Sequence, residues 1–343
     1  GTGWPYGGKQ VTAADAAQKF RISVSGETLQ LGSEPTKQKV KRAAPGAEGW
    51  VVDHFSKQAI GNYLAIFDSV FTAKNYGVRA FYNDSYEVYE ANWTPHFFDF
   101  FQERRGYNLE EHLDILKAET ATTERAKRVL HDYHLTLHEL LLENFTEQWT
   151  GFATKHQKLS RNEAHGSPAN ILDLYATASI PETEFFGSKP FAIKGYRQDP
   201  DYDPSRFGVP TETVMKLASS PAHIMGKSLV SSETATWLGN HFKVTLAQIK
   251  PIVDEAFVAG VNHIFYHGIP YSPPNEPFPG WLFYASTNFN QNSHFWKELP
   301  LLNSYVEKCQ SKLQQTKPDN DILVYLPFPD LWHSVGNSSK LNM

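Results

Sequence analysis

Leu159-Ser-Arg-Asn-Glu163, followed by Ala-His165-Gly and then by the apolar positions Ile171, Leu172 and Leu174, is the stretch on which the fold turns. A short run ends in polar groups and gives way to a helical pattern. The same succession appears at Val51–Asp53, Val78–Asn83, Ser228–Ser232 and Asn262–Tyr266. Short strands alternating with helical segments read as an α/β protein built on a parallel sheet. The helical segments are plain: Ser56 as N-cap of a run with Ala59, Ile60, Leu64 and Phe67, Thr94-Pro95 opening a helix through Phe97 and Phe101, a long pattern from Thr122 to His156, then Thr245 to Ala259 and Phe295 to Leu313.

Seven strand ends are visible, and in α/β barrels reacting groups sit at the carboxyl ends of strands. They are Thr2-Gly-Trp4-Pro, Asp53-His54, Asn83-Asp84-Ser-Tyr86-Glu87, Asn162-Glu163-Ala-His165, Pro181-Glu182-Thr-Glu184, Ser231-Ser-Glu233 and Tyr266-His267-Gly. This predicts a (β/α)8 TIM-like barrel over residues 1–317 that lacks its first strand. Residues Arg21 to Leu31, alternating around Ser25-Gly26-Glu27, read as a small β insertion near 20–35. Ile322-Leu-Val-Tyr-Leu326 reads as a strand opening a further domain or extension over 318–343, so that the chain looks truncated at both ends.

Composition narrows the partners. The chain has 343 residues with 41% hydrophobic and 20% charged residues, an ordinary globular balance. Its formal charge of −5 offers no global field for a phosphate backbone, which argues against nucleic acid. Apolar runs such as Ile249 to Gly260 fall short of the roughly 20 residues that span a bilayer. The single cysteine, Cys309, forms no internal disulfide and sits in a helical packing pattern. His131, His134 and His138 share a helix face, but without a His-Glu-x-x-His pattern they read as an exposed polar stripe.

With the missing strand placed before Gly1, the Asn83–Glu87 cluster follows the fourth strand and Glu233 the seventh, on opposite sides of the barrel mouth. Two facing carboxylates suit glycoside hydrolysis, in which one acid protonates the leaving oxygen and the other activates water or attacks the anomeric carbon. Aromatic residues are abundant, and Trp4, Trp93, Trp237 and Trp281 lie in strand-end or loop segments where an indole face can stack on a deoxy sugar. His54, His165 and His267 each follow a predicted strand and could bond sugar hydroxyls, as could Asp53 and Asp84.

Several blocks go beyond spacing. Gly1-Thr-Gly-Trp-Pro-Tyr-Gly-Gly, Val40-Lys-Arg-Ala-Ala-Pro-Gly-Ala-Glu-Gly, Asp84-Ser-Tyr-Glu, Ala164-His-Gly-Ser-Pro-Ala-Asn and Ile180-Pro-Glu-Thr-Glu resemble the α-L-rhamnosidases of glycoside hydrolase family 106, nearly end to end. The resemblance implies a (β/α)8 catalytic domain in a larger, extracytoplasmic enzyme that removes terminal L-rhamnose from an oligosaccharide or glycoside with inversion and calcium assistance. It implies Glu87 as general acid, with Glu90 as fallback, and Glu233 as general base, and inversion calls for carboxyls about 6.5 to 9.5 Å apart. A general acid must hold its proton, and Tyr86, Tyr89 and Trp93 are read as its apolar surroundings. Calcium takes six to eight oxygens, and Glu182 with Glu184 is the densest acidic site on the predicted mouth, Asn170 and Asp173 being alternatives. A non-catalytic carbohydrate-binding barrel and a retaining glycosidase remain open at this stage.

Overall fold

The computed structural model describes residues 11–333 except 42, 44–47, 75, 119–120, 188–190, 195–198 and 209–210. These fall into two compact units, one drawn from residues below 161 with 166–178 and 323–333, the other from 161–165 and 179–322.

The first unit opens with an antiparallel hairpin, β1 (Gln18–Ser25) and β2 (Thr28–Pro35), in register from Gln18↔Pro35 to Ser25↔Thr28. Gly26 supplies the positive φ of 60° that its tight turn needs. The insertion read near 20–35 is this hairpin. Helix Lys57–Ala73 starts where Ser56 Oγ accepts from Ala59 N at 3.2 Å, and it buries Ile60 and Leu64 beside Trp149. Helix Phe97–Arg105 ends at Gly106 in the left-handed region, as a C-terminal cap requires.

The long helical pattern begins under a Thr123 cap and runs through Glu124–Leu141, a wide turn at Leu142–Glu147 and Gln148–Lys155. At the wide turn the buried Asn144 amide donates to Phe55 O at 2.7 Å, a bond that links this helix to the start of Lys57–Ala73. The histidine stripe on it is not exposed: His134 and His138 are buried. His138 faces Asp173 at 3.3 Å and accepts from Asn170 N, and Trp332 packs on His131 and His138. An apolar stripe alone did not reveal that this polar edge has its own neighbours.

The second unit carries most of a parallel sheet. Strand β3 (Ala80–Asn83) belongs to the first unit, and β4 (Leu159–Glu163), β5 (Ile180–Phe186), β6 (Ser231–Thr236) and β7 (His263–Tyr266) follow, with sheet order β3-β4-β5-β6-β7. Register runs Glu163↔Glu182↔Ser231↔His263 and, one step on, Glu184↔Glu233↔Phe265. Side chains alternate along a strand, so these residues share one face. The other face carries Thr183, whose hydroxyl donates to Val214 O of helix Glu212–Ile224, and the fully buried Phe185.

The (β/α)8 barrel short of its first strand is therefore a misreading. Among the described residues five parallel strands make a half-barrel, beside a separate two-stranded sheet. Val51–Asp53 makes only isolated antiparallel bridges, Ala16↔Val52 next to Lys39↔Trp50, instead of a ladder. Residues 322–326 form no strand, and Ile322, Leu323, Val324 and Tyr325 are about four-fifths exposed. Both segments are apolar, but a strand exists only where a neighbour takes its backbone bonds. The Thr2–Pro5 strand end lies outside the described residues.

Candidate active site

On the polar face of the second unit, charge is layered. In the lower layer Glu182 is 1% exposed, and its Oε2 accepts from Ser231 Oγ at 2.5 Å and lies 3.1 Å from Arg161 Nε. The Arg161 guanidinium stacks 3.7 Å from the Phe265 ring centroid. Glu163, also fully buried, neighbours Glu182 in register. A TIM barrel fills such positions with branched apolar side chains. Here paired charges occupy them, and paired charges cost heavily when one partner is lost.

The upper layer faces the carboxyl ends of the strands. Glu184 and Glu233 are register partners on adjacent strands, so their backbones run about 4.8 Å apart. Their side chains keep 13% and 14% exposure, enough to meet a ligand. Glu233 Oε1 accepts from Thr236 Oγ1 at 2.6 Å and lies 3.7 Å from His267 Nδ1, while Glu184 Oε2 lies 3.9 Å from His165 Nε2. Behind Glu233 the register slips at Phe185/Phe186, and Ala235 and Trp237 adopt positive φ of 72° and 46°. Such conformations are strained for residues with a Cβ. The irregularity brings Thr236 back onto Glu233.

In the first unit, the segment after β3 carries the other carboxylates. Asp84 is exposed and folds on itself, its Oδ1 accepting from Ser85 N at 2.8 Å and from Tyr82 OH at 3.3 Å. Glu87 is exposed as well, its Oε1 accepting from Lys41 Nζ at 2.8 Å. That hydrogen bond, with a second to Tyr89, holds the Lys41 ammonium pKa above its ordinary value. Of the surroundings read for Glu87, Tyr89 reaches it through its hydroxyl, 3.4 Å from Oε1. Trp93 is buried among Phe20, Phe97 and Phe98, Tyr86 is buried edge-on to His54, and Tyr89 is exposed with its hydroxyl at Lys41. Glu90 pairs with Lys19 at 2.6 Å.

Asp53 is 1% exposed, and burial pushes its pKa up to about 7 against the Thr94 hydroxyl at 2.7 Å and Phe55 N at 2.9 Å, both of which favour the carboxylate. Burial lowers His54 to about 4, and its Nδ1 donates to Val52 O. Both residues hold the turn into helix Lys57–Ala73. Trp237 meets Phe186, Phe207 and Tyr284 edge-on. Trp281 is half-exposed near Tyr271, and His267 packs on Phe283. Trp4 lies outside the described residues.

The structure thus brings Glu184, Glu233, His165 and His267 to one sheet face, with Glu182 a layer below, while Asp53, His54, Asp84, Glu87 and Trp93 belong to the first unit. As an oxygen donor for calcium Glu184 suits by its place in the upper layer, where its carboxylate keeps 13% exposure and lies 3.9 Å from His165 Nε2. Glu182 does not, because an arginine already holds its carboxylate. Sequence reading passed over Arg161, Thr236 and Lys41. Arg161 and Glu163, ionisable groups two apart within a short strand, are the legible signal among the residues it left unassigned.

Comparison with known proteins adds the lineage. The profile of the alpha-L-rhamnosidase family, glycoside hydrolase family 106, matches residues 24–330. A Formosa agariphila protein, named provisionally as a beta-glucuronidase, is 29% identical over 304 residues, 87% of this chain and 24% of that protein. The solved rhamnosidase of Novosphingobium sp. PP1Y superposes with a TM-score of 0.63 at 24% identity, over 84% of this chain and 27% of that one, a likeness of fold. The chain spans about a quarter of the length of each. With a family match over nearly its whole length and a half-barrel that presents carboxylates at its strand ends, the chain belongs to the alpha-L-rhamnosidase family, glycoside hydrolase family 106.

Proposed function

We propose that the protein is an inverting exo-α-L-rhamnosidase acting on rhamnose-terminated oligosaccharides or glycosides. The observation that carries the reading is Glu233 in the upper layer of β6, partly exposed and oriented by the Thr236 hydroxyl at 2.6 Å, in a chain of this family. A partly exposed carboxylate oriented by the Thr236 hydroxyl and flanked by His267 is equipped to take a proton from an attacking water. Glu87 is the proposed acid that delivers a proton to the glycosidic oxygen. His267 and His165 flank the upper layer as hydrogen-bonding groups for sugar hydroxyls. Glu184 is the proposed oxygen donor to calcium, which when bound supplies charge for clamping vicinal hydroxyls. The same reading places the enzyme outside the cytoplasm, where such glycosides are met.

The name of the Formosa agariphila relative raises a β-glucuronide as the other substrate. A glucuronide brings a carboxylate where rhamnose has a methyl group, and it asks for a free cation on the sugar-facing side. Arg161, on the polar sheet face, is already engaged by Glu182. The test is hydrolysis of 4-nitrophenyl α-L-rhamnoside against 4-nitrophenyl β-D-glucuronide by wild type, Glu233→Gln and Glu87→Gln. Rhamnoside cleavage that falls by 10²-fold or more in folded Glu233→Gln supports the reading. Glucuronide cleavage, or rhamnoside cleavage untouched by Glu233→Gln, overturns it.

A further inference from the structure

We propose that Gln38 and Lys41 are positioning residues for the acid Glu87, a role that rests on the acid assignment made above. Segment 84–92 has no strand or helix of its own, and Glu87 on it is exposed. What fixes it comes from the chain that leaves the hairpin. The Gln38 amide spans Val88: its Nε2 donates to Glu87 O at 2.6 Å and its Oε1 accepts from Tyr89 N at 2.6 Å. One side chain thereby takes the place of a neighbouring strand, satisfying the donor and the acceptor on either side of a residue whose own side chain, Val88, is buried.

Lys41 holds the side chain as Gln38 holds the backbone. Its Nζ donates to Glu87 Oε1 at 2.8 Å and to Tyr89 OH at 2.5 Å, and lies 4.8 Å from the Tyr89 ring centroid. The clamp is itself anchored, since Gln38 O accepts from Val51 N at 3.0 Å, Val40 N donates to Gly49 O at 3.0 Å and Thr36 N donates to Ala17 O at 2.8 Å. Further along the segment Lys19 pairs with Glu90, and Phe20 N donates to Asn92 Oδ1. An exposed ion pair contributes little to stability. Its value here lies in geometry, because a misplacement of about 1 Å at a reacting group can cost about 10²-fold in rate.

Leaving-group dependence reads this role separately from a structural one. A 2,4-dinitrophenolate departs without a proton, whereas an alkoxide needs one. Wild type, Glu87→Gln, Gln38→Ala, Lys41→Met and Lys41→Arg are compared on 2,4-dinitrophenyl and methyl α-L-rhamnosides, with melting temperatures measured alongside. Gln38→Ala and Lys41→Met are expected to lose about 10- to 100-fold in kcat on the methyl glycoside and less than about threefold on the dinitrophenyl one, in the pattern of Glu87→Gln. KM should hold, and Lys41→Arg should recover most of the loss.

Equal losses on both substrates, or no loss, in folded Lys41→Met and Gln38→Ala overturn the positioning role while leaving the acid assignment intact. Should Glu87→Gln itself show no leaving-group dependence, the acid assignment fails and the positioning role with it. If Gln38→Ala does not fold, the two variants at exposed Lys41 decide the question.

Discussion

Arg161→Met probes the layered charges most sharply. The substitution removes the cation 3.1 Å from Glu182 Oε2 and leaves a carboxylate that is 1% exposed without it, the Ser231 hydroxyl still donating at 2.5 Å. Stripping one partner from a buried pair costs about 3–5 kcal/mol. Loss of the guanidinium stacked 3.7 Å over Phe265 adds about 0.5–2 kcal/mol, of which the methionine side chain recovers part by packing on the ring. At about 2.1 cal/mol/K of unfolding entropy per residue, a net loss of about 3–5 kcal/mol in a chain of 343 residues corresponds to a fall in melting temperature of about 4–7 °C. The partner variant supplies the control. Glu182→Gln in the Arg161→Met background removes the buried charge that faced the guanidinium and should restore more than half of the loss, giving a coupling energy above about 1.5 kcal/mol in a double-mutant cycle. The assay is thermal unfolding by circular dichroism on the four proteins. An Arg161→Met variant that melts within 2 °C of wild type, or additive losses in the double variant, would refute the reasoning.

Further outcomes follow from the same geometry. Thr236→Val removes the 2.6 Å hydrogen bond to Glu233 Oε1 and should lower kcat about tenfold with KM little changed, and Thr236→Ser should restore it. Gly166 has φ 79°, and a Cβ there would lie 2.9 Å from Tyr86 O, next to Glu87 in sequence, so Gly166→Ala should cost about 1–3 kcal/mol and depress activity, measured by melting and by kcat. Asp53 has a folded pKa of about 7, above its ordinary carboxylate value, so its contribution is fully present below about pH 4 and is lost as pH rises through 7. Melting curves between pH 4.5 and 8 should therefore show wild type losing about 3–4 kcal/mol relative to Asp53→Asn at the alkaline end. Chelation of calcium should lower activity on a rhamnoside, with Glu184→Gln weakening the concentration of added calcium that restores it, as read by calcium titration of the rate.

The sequence carried the units of this fold better than their closure. Ser56, Thr123 and the apolar spacing behind each located helices within a few residues, because caps and periodicity are local. The strands at 80–83, 159–163 and 263–266 were legible for the same reason, whereas Pro181–Glu184, read as the polar end of a strand, lies inside one over 180–186, and the strand read at Ser228–Ser232 runs Ser231–Thr236. Val51–Asp53 and residues 322–326 were not, since pairing is decided by a distant neighbour and both stretches are equally apolar whether paired or not. The strand-end rule found Glu184, Glu233, His165 and His267, which one sheet face does gather. It did not foresee that Glu182, two residues before Glu184, is committed to Arg161, because a period of two fixes the face of a side chain and not its depth. Nor could spacing show that Lys41, 46 positions away, reaches Glu87.

Proton NMR of the first-formed sugar during hydrolysis of 4-nitrophenyl α-L-rhamnoside tests the central claim most directly. The account predicts that β-L-rhamnose accumulates first and mutarotates later, as attack by a water activated at Glu233 requires. Release of α-L-rhamnose first, or no release of rhamnose by the folded protein, would contradict it.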